Sequence, residues 1–102
     1  MIKSGIGYDV HSLAKGEALI IGGVKINSPW GSIGHSDGDV LLHAIVDALL
    51  GAAKLGDIGM HFTSSDERWK GKESTFFLEH AALLVRDQGF EIDYVDLSLI
   101  HI

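Results

Sequence analysis

The stretch Gly34–Phe62, which reads GHSDGDVLLHAIVDALLGAAKLGDIGMHF, decides the fold. Its centre is an apolar run, and small and polar residues flank that run on both sides. Ser36 is a good helix N-cap, and Asp39 three residues later resembles the acidic partner in a capping box. We therefore predict a helix from Val40 to about Leu55. Gly56 would end it, because glycine readily takes the left-handed conformation at the end of a helix.

The sequence on either side alternates between signals for strands and signals for helices. Strands are predicted where apolar residues alternate with other residues, and a hairpin turn is predicted where two adjacent glycines can take positive φ at low cost. The further predicted elements are a strand over Ile2–His11, a hairpin of Ala18–Ile21 and Val24–Ile26, a loop over Asn27–Gly31, an irregular connection over Lys54–Lys72, a helix over Ser74–Gln88 with Ser74 as its cap and Gly89 beyond its end, and an extended segment over Phe90–Ile102. This order predicts an α/β (α+β) domain with a mixed β-sheet and helices packed on one face of the sheet.

Length and composition restrict the class of protein. The 102 residues make one domain of ordinary size, and 46% hydrophobic with 22% charged residues is the balance of a globular protein. The net charge of −6 argues against nucleic-acid binding, and the absence of cysteine excludes disulfides and thiolate metal sites. The longest apolar run, Val40–Ala53, contains His43 and Asp47 and is too short to cross a bilayer. We expect a cytoplasmic protein, without a targeting segment, that binds neither nucleic acid nor a membrane.

Three separated polar residues form a candidate metal site. Asp9 and His11 lie two positions apart on the predicted first strand, so their side chains point the same way. His43 lies in the otherwise apolar helix. If the helix packs near the end of that strand, one carboxylate and two imidazoles converge, a donor set that suits zinc or another first-row divalent metal. The alternative is that all three are ordinary core or surface residues, since each part of the pattern is common by itself.

A polar stripe on the predicted helix favours the metal interpretation. Asp39, His43 and Asp47 recur at four-residue spacing, so they lie on one helix face that must meet solvent, a partner or a site. Asp47 is spaced to orient the imidazole of His43, which is how metal-bound histidines are usually held. A solvent-exposed position for Asp47 is the alternative.

Two weaker clusters could contact a substrate. His35 and Ser36 lie at the predicted helix N-terminus, where free N–H groups favour an anion, although capping alone explains a serine there. The turn Gly56–Gly59 presents the carboxylate of Asp57, which could accept hydrogen bonds from sugar hydroxyls. A plain surface turn is the alternative for this second cluster.

Taken together, four segments resemble the family of 2-C-methyl-D-erythritol 2,4-cyclodiphosphate synthases of non-mevalonate isoprenoid biosynthesis. These segments are GIGYDVHSL (5–13), IIGGVKI (20–26), the opening stretch (34–62) and WKGKES (69–74). They occur in the order and with the spacing of the family. The resemblance implies a cyclodiphosphate-synthase-like fold, a homotrimer with sites between neighbouring subunits, and a location in the cytoplasm, or in the plastid of a plant or alga.

The resemblance also implies roles for individual residues. Asp9, His11 and His43 match the family's divalent-metal ligands, usually for zinc, and a second ion, magnesium or manganese, is expected with the substrate. His35 matches the residue thought to stabilise the transition state. The implied substrate contacts are Asp9, Val10, His11, His35, Ser36, Asp57, Ile58, Gly59, Phe62, Thr63, Ser64, Ser65 and Asp66.

The resemblance implies a phosphorus–oxygen lyase. In the family, the 2-phosphate of 4-diphosphocytidyl-2-C-methyl-D-erythritol 2-phosphate attacks the β-phosphorus, CMP leaves and a cyclic diphosphate forms. This chemistry depends on positioning and on charge neutralisation by metals rather than on covalent chemistry by the protein. Two alternatives stay open: a metal-dependent phosphoester hydrolase that uses the same three ligands, and an inactive metal-binding fragment.

The chain departs from the family pattern at two places. Thr63–Asp66 reads TSSD where many members have PDTD, which could loosen the loop or change a hydroxyl contact. About the last third of a family member, including the cytosine-binding loop, would follow Asp96. We therefore expect residues 1–102 to form a single incomplete domain with little or no turnover. The final LSLIHI, Leu97–Ile102, fits the family's strand and also matches the translation of a sequencing-library adapter, and both interpretations stay open.

Overall fold

Short antiparallel strand pairs and two longer helices make up the chain in a computed structural model that describes residues 1–101. In order, the elements are β1 (Leu13–Lys15), β2 (Leu19–Ile21), β3 (Val24–Ile26), β4 (Trp30–Ser32), α1 (Val40–Ala52), α2 (Ile58–His61), a 3₁₀-helix (Glu67–Trp69) and α3 (Ser74–Asp87). β1 pairs with β4, and β2 pairs with β3. The predicted α/β (α+β) class is confirmed. The predicted mixed sheet is wrong, because the described strands form two separate antiparallel pairs.

The predicted hairpin is confirmed, and a carboxylate anchors it. Gly22 and Gly23 connect β2 to β3 with φ of 62° and 80°, a region that glycine takes at low cost. Their N–H groups donate to the two oxygens of Asp39 at 3.0 and 2.7 Å. Asp39 also accepts from the Leu42 N–H at 3.1 Å and is the N-cap of α1. The prediction of Ser36 as this cap is therefore wrong, because the buried Asp39 carboxylate supplies the capping bond.

The core lies between α1 and α3. Leu42, Val46 and Leu50, spaced four residues apart, form the buried face of α1. The buried cluster consists of Val46, Leu50, Phe62, Phe77 and Ala81, with Leu55, Ile58, Trp69, Leu78 and Leu84 packed around it. The helices pack mainly on each other and the described strands form two separate pairs, so the predicted packing of both helices on one face of a single sheet is wrong. Because Phe62 and Trp69 belong to this core, the connection between the helices is held beside α1.

Both longer helices end in Schellman motifs. α1 ends at Ala52, earlier than predicted, because Lys54 takes a left-handed φ of 59°. The Leu55 N–H then donates back to the Leu50 carbonyl at 2.8 Å. Gly89 follows the end of α3 with φ of 85°, as predicted. The ends of both helices are therefore set by local backbone bonds.

The predicted first strand is wrong, because this segment pairs with no other strand of the described chain, although its alternating pattern does separate an exposed apolar side from a side that contacts α1. Residues 1–12 form no strand, and the segment lies along α1 instead. A Cβ on Gly5 would overlap the Ala48 carbonyl and one on Gly7 would overlap the Ala44 carbonyl, so only glycine permits this approach. The apolar side is exposed, with Tyr8 82% accessible. The glycine side therefore faces α1, and the polar residues that follow on that side are directed toward the same helix.

The remaining boundaries agree with the predictions in part. The predicted loop Asn27–Gly31 includes the start of β4, and the predicted connection Lys54–Lys72 includes α2 and the 3₁₀-helix. Residues 90–101 form no strand, and Ile102 lies outside the described residues. Within residues 1–101, the helices are too short or too polar to cross a membrane.

Candidate metal centre

Asp9, His11 and His43 converge where the N-terminal segment lies against α1. Asp9 Oδ2 is 3.1 Å from His11 Nδ1 and 3.3 Å from His43 Nδ1. Each of the three side chains is partly buried and offers one donor atom, and all three donor atoms lie within 4.8 Å of one another. The predicted convergence is confirmed. The helix supplies His43, and the glycine contacts hold the segment with the other two side chains against it.

These three side chains fit a divalent metal ion. For tetrahedral zinc with ligand bonds of about 2.0–2.1 Å, neighbouring donor atoms lie about 3.3 Å apart. The distances of 3.1 and 3.3 Å from Asp9 Oδ2 agree with that spacing. Asp9 Oδ2 and His11 Nδ1 are also buried without a hydrogen-bond partner in the described chain, and such atoms require another group to satisfy them. The donor set could hold one ion and leave a fourth position for a ligand.

The side chains shift each other's pKa values. Burial raises the pKa of Asp9, but the contacts with His11 and His43 outweigh burial and hold that pKa well below its ordinary value. The contact with the Asp9 carboxylate raises the pKa of His11, against the opposing effect of burial. In the metal-free protein the site therefore favours an ionised Asp9 beside a protonated His11, and a metal ion would compete with that proton.

The other ring nitrogen of His43 meets two serines. His43 Nε2 is 2.7 Å from Ser74 Oγ and 3.2 Å from Ser36 Oγ. Ser74 is the first residue of α3 and not its cap, so that prediction is wrong; the N-cap is Glu73, which makes no side-chain capping bond. Asp37 instead accepts from the Ser74 N–H at 2.8 Å. The start of α3 is thus attached to the loop before α1, next to His43.

His35 contacts the connection between α2 and α3. Its Nε2 is 2.9 Å from the Asp66 carbonyl oxygen, and its own carbonyl accepts from the Gly71 N–H at 2.9 Å. These two bonds join His35, which the resemblance implies stabilises the transition state, to the connection that contains the proposed substrate loop. Because α1 begins only at Val40, the predicted placement of His35 and Ser36 at the helix N-terminus is wrong.

Asp47 does not orient His43, so that prediction is wrong. Asp47 Oδ1 accepts from the Ile58 N–H at 2.7 Å, while the ring nitrogens of His43 face Asp9 and the two serines. Asp57 caps α2 by accepting from the Met60 N–H at 2.9 Å. Asp47 lies one helical turn from His43, about 6 Å along α1. The loop that begins at Asp57, which the resemblance implies binds substrate hydroxyls, is therefore attached to α1 one helical turn away from the candidate metal position.

The implied substrate loop Phe62–Asp66 is divided between the core and the surface. Phe62 is buried against Phe77, with ring centroids 4.5 Å apart. Residues 63–65 are exposed. Val10, next to the metal ligands, is 66% exposed. The Phe62 side chain is thus a core group, and the hydroxyl groups that follow it are the ones open to a ligand.

The contact that links Asp37, Ser74 and His43 was not predicted from the sequence. Asp37 and Ser74 are 37 positions apart, and no motif relates the pair to a histidine. The available signal is that both residues lie near a predicted helix start, which indicates capping rather than contact with a metal ligand.

Comparison with known proteins gives consistent matches. The profile of the YgbB family matches residues 2–101. A 2-C-methyl-D-erythritol 2,4-cyclodiphosphate synthase of Solibacter usitatus (strain Ellin6076) is 54% identical over 99 residues, which are 97% of this chain and 62% of that relative. Two solved structures of 2C-methyl-D-erythritol-2,4-cyclodiphosphate synthase, the second in a form bound to CDP, match at 48% and 47% identity with TM-scores of 0.80. Each comparison covers 85% of this chain and 58% of the solved chain.

The chain thus spans about three fifths of the length of the curated relative that it matches. The matched range includes the three converging side chains and both longer helices. From its sequence and its fold, the chain belongs to the YgbB family.

Proposed function

We propose that this chain provides the metal centre of a 2-C-methyl-D-erythritol 2,4-cyclodiphosphate synthase. The observation that best supports this is the convergence of Asp9, His11 and His43 at donor spacings suited to one divalent ion. The reaction is proposed from the enzyme name that the similar proteins carry. Zinc is the proposed resident ion, because two imidazoles and one carboxylate suit it. Magnesium or manganese is the proposed second ion, which arrives with the substrate.

The proposed reaction moves a phosphoryl group within one molecule of 4-diphosphocytidyl-2-C-methyl-D-erythritol 2-phosphate. A lone pair on an oxygen of the 2-phosphate forms a bond to the β-phosphorus. The bond from that phosphorus to the CMP oxygen breaks, and CMP leaves with the electron pair. A metal ion, when bound, neutralises phosphate charge and polarises phosphate oxygens. The attacking oxygen is already ionised at neutral pH, so the protein mainly has to position the reacting groups.

His35 is the proposed catalytic residue among the side chains beside the metal centre. Since the Asp66 carbonyl can only accept, the proton between them belongs to His35 Nε2. Nδ1 is then the nitrogen left for a ligand, and it donates to a developing oxyanion when the ring is doubly protonated. Ser36, which lies beside His43, is the proposed contact for a phosphate oxygen.

A second group of residues is proposed to hold the substrate's sugar alcohol. The Asp47 contact with the Ile58 N–H fixes the turn that begins at Asp57, which supports hydroxyl binding at that turn. The exposed hydroxyls of residues 63–65 follow the buried Phe62, which supports the same role for this loop. The proposed substrate contacts are Asp9, Val10, His11, His35, Ser36, Asp57, Ile58, Gly59, Phe62, Thr63, Ser64, Ser65 and Asp66.

We also propose that the chain assembles as a homotrimer, as the resemblance implies. Ile6, Tyr8 and Val10 are 90%, 82% and 66% exposed on one side of the N-terminal segment, and such apolar surface favours burial against another chain. Sedimentation of the zinc-loaded protein should give one species of three chains. A monomer, or a broad distribution of aggregates, would contradict this proposal.

The proposed function is tested by the identity of the products. The zinc-loaded chain is incubated with the substrate and magnesium, and the products are identified by phosphorus NMR and chromatography. Because the domain is incomplete, we expect no more than trace turnover; the products formed should be CMP and the cyclic diphosphate, and His35→Ala should abolish both. His101→Ala, an exposed histidine far along the chain, is the matched control. Release of inorganic phosphate or a linear product would instead favour a metal-dependent hydrolase, and zinc binding with no substrate contact would favour an inactive fragment.

A further inference from the structure

We propose that Asp37 and Ser74 are positioning residues that set the tautomer of His43, so that Nδ1 presents a lone pair to the metal position. This inference rests on the proposed metal centre. It concerns two residues that do not touch the metal position and that act only through a ligand. The chain of contacts runs from a carboxylate through a buried hydroxyl to the far nitrogen of that ligand.

The contacts are short and lie in the interior. The Ser74 hydroxyl donates to Asp37 Oδ1 at 2.5 Å, and the Ser74 N–H donates to Asp37 Oδ2 at 2.8 Å. On its other side, Ser74 Oγ is 2.7 Å from His43 Nε2. Ser74 is fully buried, so these contacts do not compete with solvent at the hydroxyl. The opposite nitrogen, His43 Nδ1, is 3.3 Å from Asp9 Oδ2.

Counting donors and acceptors fixes the position of the proton. A backbone N–H can only donate, and an ionised carboxylate can only accept, so both oxygens of Asp37 are acceptors. The one hydrogen of the Ser74 hydroxyl is therefore directed to Asp37, and its oxygen can only accept from His43. His43 Nε2 must then carry a proton. In a neutral imidazole this leaves Nδ1 with the lone pair, which is the form that binds a metal ion.

Helix capping does not explain the whole arrangement. Capping of α3 requires only the bond from the Ser74 N–H to Asp37 Oδ2, and alanine at position 74 would retain it. The hydroxyl adds the link from Asp37 to His43. Partners that fix the ring of a metal-bound histidine typically change metal affinity by about 10–100-fold when they are removed. Ser36 Oγ, at 3.2 Å from His43 Nε2, is a longer contact and would only partly replace Ser74.

The first test compares zinc affinity among variants at position 74. Competition against a chelator should show a loss of about 10–100-fold for Ser74→Ala and near-complete recovery for Ser74→Thr, which retains the hydroxyl. Ser28→Ala, which removes an exposed serine contact to the Trp30 N–H, is the matched control and should bind zinc as the original chain does. Equal zinc affinity in Ser74→Ala and the original chain would overturn the proposal.

The second test asks whether Asp37 acts through Ser74, and it is read in the zinc-loaded protein. Nitrogen-15 shifts of labelled histidine show which ring nitrogen of His43 binds zinc, and we expect zinc at Nδ1 and a proton on Nε2. Asp37→Ala removes the acceptor that holds the Ser74 hydroxyl hydrogen, so zinc affinity should fall as it does in Ser74→Ala. Because both residues act through one hydroxyl, the two losses should not add in the double variant. The exposed control Asp87→Ala should bind zinc as the original chain does.

The two tests separate this inference from the proposed function. An original chain that binds no zinc contradicts the metal centre, whatever the tautomer of His43. A His43 ring that binds zinc through Nε2, or losses from Asp37→Ala and Ser74→Ala that add fully in the double variant, overturns the inference even if zinc binds. Far-UV circular dichroism shows whether each variant retains its helices, and Ser74→Thr provides a hydroxyl-bearing variant if Ser74→Ala unfolds.

Discussion

Replacing Asp39 with asparagine tests whether its carboxylate joins two elements or merely caps one. Asparagine and aspartate are about equally good N-caps, so a capping role alone predicts almost no change in stability for Asp39→Asn. The structure predicts a large loss instead. Asp39 is fully buried, and the N–H groups of Gly22, Gly23 and Leu42 all donate to its two oxygens.

The magnitude follows from how these donors are divided. Asp39 Oδ1 accepts from Gly22 and Leu42, and Oδ2 accepts from Gly23 at 2.7 Å. An amide has one oxygen, and in the Oδ1 position it satisfies two donors while its nitrogen faces the Gly23 N–H. The lost bond to a charged group is worth about 1.5–3 kcal/mol, and an unsatisfied buried donor costs about 1–3 kcal/mol. Because these costs overlap, we expect the free energy of unfolding to fall by about 2–4 kcal/mol.

Urea denaturation followed by far-UV circular dichroism measures this loss. The control is Asp57→Asn, because Asp57 is an exposed cap whose side chain accepts, within residues 1–101, from the Met60 N–H alone. The control should stay within about 0.5 kcal/mol of the original chain, as surface substitutions usually do. An equally small change for Asp39→Asn would refute the reasoning, since the hairpin contacts would then contribute nothing measurable.

Two further predictions concern the metal centre. Gly7→Ala places a Cβ on the Ala44 carbonyl, so the ligand-bearing segment must move away from α1, and zinc binding should weaken at least tenfold in a chelator competition. Gly51→Ala is the control, because its Cβ meets no atom within 4 Å, and it should bind zinc normally. In the metal-free protein the pKa of His11 is raised, which adds stability below the unfolded pKa of about 6.5; this stability is lost as the pH rises through the folded pKa. The pKa of Asp9 is lowered, which adds stability above the unfolded pKa of about 3.9; this stability is lost as the pH falls through the folded pKa. Denaturation of chelator-treated protein should therefore show greatest stability between about pH 4 and 6.5, and Asp9→Asn should flatten the profile.

The candidate metal centre was predictable because its parts are local patterns. Two-residue spacing directs Asp9 and His11 to one side of any extended segment, whether or not the segment pairs with a strand. A histidine inside an apolar helix indicates a position that faces something other than the core. The close approach of the segment to α1 was not predicted, although Gly5 and Gly7 alternate with the exposed apolar residues and are the reason for it.

The contacts that were missed connect distant parts of the chain. Asp47 reaches the Ile58 N–H rather than His43, and helical spacing alone cannot distinguish between these two partners. The position of the α1 cap was also missed, because Asp39 serves the hairpin and the helix at once and the hairpin contact is not visible in the local sequence. Local rules therefore predicted which residues take part, whereas packing determined which residue each one contacts.

An ion held by Asp9, His11 and His43 would cross-link the N-terminal segment to α1. Two of its ligands come from a segment that rests on α1 through glycine, and the third comes from α1 itself. Closing the ring of chain from residue 9 to residue 43 has an entropic cost that grows only slowly with ring size, and metal binding can offset that cost. Chelation should then weaken the attachment of residues 1–12 to α1 while the core between α1 and α3 persists, so occupancy of the centre would also regulate how tightly the terminus is held.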